Sequence, residues 1–237
     1  RDAGRKRPGK LPGACFKTRR MTRLKAMLFD LDGTLLDSAP DMVAALNKVR
    51  AGIGLEPLPV EKVGHGVTRG AIGLLELGMP ATDERTFESW RQELIDGYAQ
   101  NVFNRSSLYD GVEDLLTALD QSGIPWGLVT HKPEYLTHAV MEACGLSDRV
   151  SCSVCGDTLE ESKPHPAPVL LACDRLGVEP AETLFAGDDL RVIEAGVAAG
   201  ARTAAIYYGY GSSGLLGPLA EQSIAVKHPS DLLKQIR

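Results

Sequence analysis

Apolar residues arrive along this chain in short runs that end in polar residues or glycine. Ala26–Phe29, Pro125–Val129, Val150–Val154 and Leu184–Ala186 are of this kind, and Thr203–Ile206 is a further candidate. Such runs predict strands buried on both faces. Between them, apolar residues recur at helical spacing. Val112, Leu115, Leu116 and Leu119 share one face, and Gly123 is placed to stop that helix. Pro166–Leu176 and Leu190–Ala199 read likewise. Alternation of strand and helix predicts a parallel sheet covered on both faces, with ligands at the carboxyl ends of its strands.

One stretch breaks the alternation. From Asp41 to about Ser107 the pattern predicts helices and no strand. Pro40 suits a helix start, and Met42, Val43, Leu46 and Val49 follow on one face. Phe87, Trp90, Leu94, Tyr98 and Val102 form a second stripe, read as the packing face of a helical bundle. His65–Gly70 between them is loop-like or opens a helix. The expected organisation is a core of residues 21–39 and 108–237, interrupted by a helical domain over 40–107.

Composition narrows the function. The 237 residues are 43% hydrophobic, an ordinary share for a globular protein, and no apolar stretch reaches bilayer length. The net charge of -5 hides an asymmetry: residues 1–20 hold eight Lys/Arg against one acid, so the remainder is strongly acidic. An acidic body argues against nucleic acid as a partner. Residues 1–20 have no apolar segment of secretory type and are expected to be a disordered basic extension. With five cysteines and no such signal, a cytoplasmic location is expected, and Cys152 and Cys155 read as ordinary strand cysteines.

The chemistry lies where the runs end. The first is followed by Asp30-Leu31-Asp32-Gly33-Thr34, two carboxylates two positions apart before a glycine turn. The second is followed by Thr130-His131-Lys132-Pro133, and the fourth by Gly187-Asp188-Asp189. A loop, Ser162-Lys163-Pro164-His165-Pro166, leads into a helix. In a parallel sheet these four stations meet on one edge. The set suits attack on a phosphate monoester. One carboxylate serves as nucleophile, a second carboxyl as proton donor, and a metal ion and an ammonium offset the phosphate charge.

Those segments, with Tyr208-Gly209-Tyr210-Gly211, resemble the haloacid dehalogenase-like hydrolase superfamily from about Met21 onward. More narrowly, they are similar to its phosphoglycolate phosphatase branch, which includes N-acetylmuramic acid 6-phosphate phosphatases. The resemblance implies an α/β fold: a Rossmann-like three-layer αβα core with a parallel sheet, plus an inserted helical cap domain. It implies that Asp30 takes the phosphoryl group and that Asp32 protonates the leaving alcohol. It implies Mg2+ held by Asp30, the Asp32 carbonyl and Asp188, with Asp189 a further candidate. Gly33, Thr130 and Lys163 would bind the phosphoryl group, and Arg69 and His131 are candidates for the rest of the substrate. The partner expected is a small phosphorylated metabolite, acted on by a monomer or homodimer.

The pattern departs from the family at Val192, where relatives place another Asp that serves the metal. Three readings follow. The first is a phosphatase of phosphoglycolate, or alternatively of N-acetylmuramic acid 6-phosphate. The second is a phosphomutase, and the third a catalytically weakened binding protein.

Overall fold

The computed structural model describes residues 23–236, so the extension expected over residues 1–20 lies outside the described residues. The chain opens with β1 (Ala26–Phe29), the short β2 (Leu36–Asp37), and helices α1 (Ala39–Gly52), α2 (Val60–Val63), α3 (Gly70–Gly78) and α4 (Glu84–Ala99). Then come β3 (Ser107–Leu108), α5 (Val112–Gln121), β4 (Trp126–Val129), α6 (Glu134–Ala143), β5 (Cys152–Val154) and α7 (Ala167–Leu176). The last elements are β6 (Thr183–Gly187), α8 (Leu190–Ala199), β7 (Arg202–Ile206), α9 (Pro218–Gln222) and β8 (Ile224–Val226).

Six strands form one parallel sheet in the order β5-β4-β1-β6-β7-β8. The chain builds outward from β1 on one side, then returns to its other side at β6. That reversal leaves a crevice at the carboxyl end of β1, the usual ligand position in open α/β sheets. Alternation along β1 sends Met27 and Phe29 to one face, where they join Val112, Leu116 and Val140 from α5 and α6. Leu28 faces the other way, with Val169, Ala172 and Val192 of α7 and α8. The core is therefore the three-layer αβα arrangement expected.

The stretch read as strand-free is helical except at its end. Ser107–Leu108 pairs antiparallel with Leu36–Asp37, a two-residue ribbon too short to show a period. His65–Gly70 falls largely in a 3-10 turn, Gly64–Arg69, which runs into α3. Val102 lies past the end of α4. The two passages of chain that bound this stretch are clasped together. The buried Asp41 carboxylate accepts the N–H groups of Asn104, Arg105 and Ser106 at 2.8–2.9 Å. Cys152 and Cys155 are free thiols, and burial pushes the Cys152 thiol up to about 11. Among the described residues no helix is long and apolar enough to cross a membrane.

Candidate active site

Asp30 directly follows β1, and its N–H extends the ladder by donating to the Ala186 carbonyl at 2.9 Å. Its side chain is fixed at both oxygens. Oδ1 accepts the Leu31 N–H at 2.8 Å, and Oδ2 pairs with Lys163 Nζ at 2.7 Å. Lys163 also donates to the Val129 carbonyl at 2.9 Å and is only 4% exposed. A buried ion pair is costly to break from one side, by ~3–5 kcal/mol, because the remaining charge is stranded. Asp30 thus has one defined orientation.

Asp188, at the end of β6, is 1% exposed. It accepts the Gly211 N–H at 2.9 Å. Burial, joined by the charges of Asp30 and Asp189 against the pull of that N–H, pushes its carboxyl up to about 7. Two glycines make room for it. A Cβ on Gly33, where φ is +80°, would lie 2.2 Å from Asp188 Oδ2, and one on Gly209 would lie 2.1 Å from the Gly33 carbonyl. Both positions exclude any other residue. The phosphate role expected of Gly33 is not served by its own N–H, which donates to the Leu36 carbonyl at 2.9 Å. What Gly33 provides is the absence of a side chain.

Asp189 does not join Asp30 and Asp188. It caps α8 and is taken up by Arg191, whose Nε and Nη2 meet its two oxygens at 2.8 Å. Burial works against the ionised form, yet Arg191 holds the carboxyl below its ordinary range. Arg191 Nη2 also donates to the Thr68 carbonyl at 2.6 Å, tying the sheet edge to the helical segment. Val192, the departure from the family pattern, is fully buried beneath Gly187 with Leu28, Val129 and Phe185. Among the described residues no three His, Cys, Asp or Glu side chains form a metal cage. What remains is a pair of hard oxygen donors, Asp30 and Asp188, crowded without a full set of protein donors. That set fits Mg2+, which keeps most of its waters, better than Zn2+.

The second acid has a lysine of its own, which the sequence did not single out. Asp32 Oδ1 pairs with Lys132 Nζ at 2.8 Å. Lys132 also donates to the Tyr98 hydroxyl at 2.9 Å, and its Nζ lies 4.7 Å from the centre of that ring. Burial opposes the charge on Lys132, but Asp32 and Tyr98 outweigh it and raise its pKa. The available signal was the position of Lys132 just past a strand end. Its partner Tyr98 was hidden within an apolar stripe.

Thr130 is buried beside these groups, and its Oγ1 accepts the Lys132 N–H at 3.2 Å. His131 is turned onto the Lys163 carbonyl, with Nε2 at 3.0 Å, and burial and the charge of Lys163 lower its pKa. Arg69 pairs with Glu76 at 2.5 Å, both side chains well exposed. The sequence-predicted residues Asp30, Asp32, Thr130, His131 and Arg69 all line one cavity of about 420 Å3. Its helical wall adds Val67, Ile72, Arg91, Leu94 and Ile95. A larger cleft, about 560 Å3, lies beside α6 among His138, Glu142 and Asp148 and includes none of these candidates.

The model of the haloacid dehalogenase-like hydrolase family matches residues 24–200. An N-acetylmuramic acid 6-phosphate phosphatase of Pseudomonas aeruginosa is 44% identical over 189 residues, which is 79% of this chain and 84% of the relative. A phosphoglycolate phosphatase of Xylella fastidiosa is 39% identical over 188 residues, 79% of this chain and 82% of the relative. Among solved structures, that of "a predicted phosphoglycolate phosphatase" from Haemophilus somnus superposes with a TM-score of 0.80 at 29% identity. It covers 92% of this chain and 100% of its own.

Proposed function

Since the chain belongs to the haloacid dehalogenase-like hydrolase family, we propose that it hydrolyses a small phosphate monoester through phospho-Asp30. The observation that carries this reading is the buried Asp30–Lys163 pair at the sheet crevice, with Asp32 facing the same cavity. Asp30 attacks phosphorus and forms a P–O bond. The bond to the leaving oxygen breaks, and Asp32 gives that oxygen its proton. Asp32, now a carboxylate, takes a proton from the water that attacks phospho-Asp30. Phosphate then departs and both acids are restored. Lys163 and Thr130 face the phosphoryl oxygens, where fixed charge is most effective.

Asp30, Asp188 and the Asp32 carbonyl would hold Mg2+, which when bound supplies positive charge against the phosphoryl oxygens. The upward shift of Asp188 supports this, since a buried carboxylate short of donors favours a cation. Residues 40–107 act as a cap that supplies the helical wall of the cavity. Four free thiols among the described residues suit a reducing compartment such as the cytoplasm.

Cavity size favours one of the two candidate substrates. Phosphoglycolate has about nine non-hydrogen atoms and would leave most of the 420 Å3 unfilled. N-acetylmuramic acid 6-phosphate, with about two dozen, matches a cavity of this class. Its acyl and ether groups suit Val67, Ile72, Leu94 and Ile95, and its carboxylate suits Arg69 or Arg91. We therefore propose the phosphorylated sugar acid as the better substrate, with kcat/KM at least about tenfold higher than for phosphoglycolate. Phosphate release from both esters by purified protein with Mg2+ tests this. Asp30→Asn is expected to lose about 10³-fold or more. Undiminished release by that variant would overturn the mechanism.

A further inference from the structure

We infer that Lys132 is a positioning residue for Asp32 and that Tyr98 makes this positioning depend on the docking of α4. The inference rests on the reading of Asp32 as the proton donor. A lysine is rarely so buried, and here its ammonium has two polar partners that belong to different parts of the fold. Asp32 lies in the turn after β1. Tyr98 lies in the last turn of α4, with its ring packed in the apolar cluster and its oxygen as the polar tip. Lys132 is the link between them.

The contact is made to one oxygen. Lys132 occupies Asp32 Oδ1 at 2.8 Å, which leaves Oδ2 as the atom that exchanges protons with the leaving oxygen and with water. An ammonium has three donors in a compact head, so Lys132 can serve Asp32 and Tyr98 together. Without Tyr98 the ammonium has one fixed partner and a wider range of orientations. Asp32 is then less narrowly aimed at the bound ester. A misplacement of about 1 Å at a reacting group can cost ~10²-fold. Seating of α4 thereby completes the acid as well as enclosing the cavity.

Leaving-group dependence tests the inference. Single-turnover phosphoryl transfer is measured with Mg2+ present, from an alkyl phosphate and from p-nitrophenyl phosphate, whose phenolate departs without protonation. Lys132→Met is expected to slow the alkyl ester about 30–100-fold and the aryl ester less than about threefold. Tyr98→Phe, which removes one oxygen and keeps the ring, should show the same selectivity at about 3–10-fold. KM for the alkyl ester should stay within about twofold in both variants. Equal loss on the two esters, or no loss, would overturn the inference. If Lys132→Met does not fold, Tyr98→Phe decides by the same criterion. Asp32→Asn is the reference. If it fails to discriminate between the esters, the assignment of Asp32 itself falls; if it discriminates and the Lys132 and Tyr98 variants do not, only the positioning role falls.

Discussion

Asp30 and Asp32 are two residues apart, and each meets a buried lysine at nearly the same distance, 2.7 Å to Lys163 and 2.8 Å to Lys132. The two surroundings differ in kind. Lys163, from the loop before α7, is anchored on the Val129 carbonyl at the end of β4, and Asp30 is fastened to β6 through its own N–H, so this side is built without the helical segment. Lys132 is anchored on Tyr98, which arrives from the helical segment. One carboxylate is held by the sheet and a loop beside it, the other where the sheet edge meets the helical segment. On the mechanism proposed above, the difference teaches that phosphoryl capture and proton transfer would be disturbed independently, although their acids share one turn.

Of the two lysines, the one beside Asp30 should matter more. Lys163→Met should lower transfer from alkyl and aryl esters alike, by about 10²–10³-fold, since it leaves Asp30 free to turn and removes positive charge from the phosphoryl group. A selective loss on alkyl esters would erase the contrast with Lys132.

A smaller effect concerns Asp188, on the same side. Its carboxyl sits at about 7 in the folded protein against an ordinary value of 3.8. Between these values the unfolded chain has released the proton while the folded protein still holds it. Stability of the metal-free protein therefore falls as pH rises through that window, by up to about 4 kcal/mol, and then levels off. Urea midpoints of metal-free protein should decline between pH 5 and pH 8, and Asp188→Asn should flatten the decline. Mg2+ should raise the midpoint more at pH 8 than at pH 5. Equal stabilisation at both pH values would contradict the role of Asp188.

The smallest effect on turnover is expected beneath the sheet edge. Val192→Asp puts a carboxylate among Leu28, Val129 and Phe185, so Tm should fall by several degrees with no gain in turnover. A marked rise in turnover would show that this position can serve the site after all.

Much of the frame was legible in the sequence. The run Ala26–Phe29 and the pattern Leu190–Ala199 match β1 and α8 to the residue, because fully buried strands and one-faced helices write their burial into local periodicity. The β2–β3 ribbon and β8 escaped notice, being two or three residues long and partly exposed. Three of the four stations were legible because they sit at strand ends, which a parallel sheet brings together, and the remaining one, residues 162–166, is a loop that opens onto α7. Asp189 was misplaced because sequence proximity to Asp188 says nothing of side-chain direction, and Arg191 lies two residues on. Lys132 and Tyr98 are separated by 34 positions and by a change of layer. Tyr98 packs in the core as its place in the apolar stripe predicts, and nothing local marks its oxygen as a partner for a cation.

The clasp at Asp41 has a consequence for re-engineering. By gathering the N–H groups of residues 104–106, it brings the outgoing and returning strands of covalent chain side by side. A foreign helical segment could be spliced between those two crossings without stretching the sheet. On the positioning role proposed for Lys132, such a graft would also have to present a hydroxyl where Tyr98 now meets that lysine.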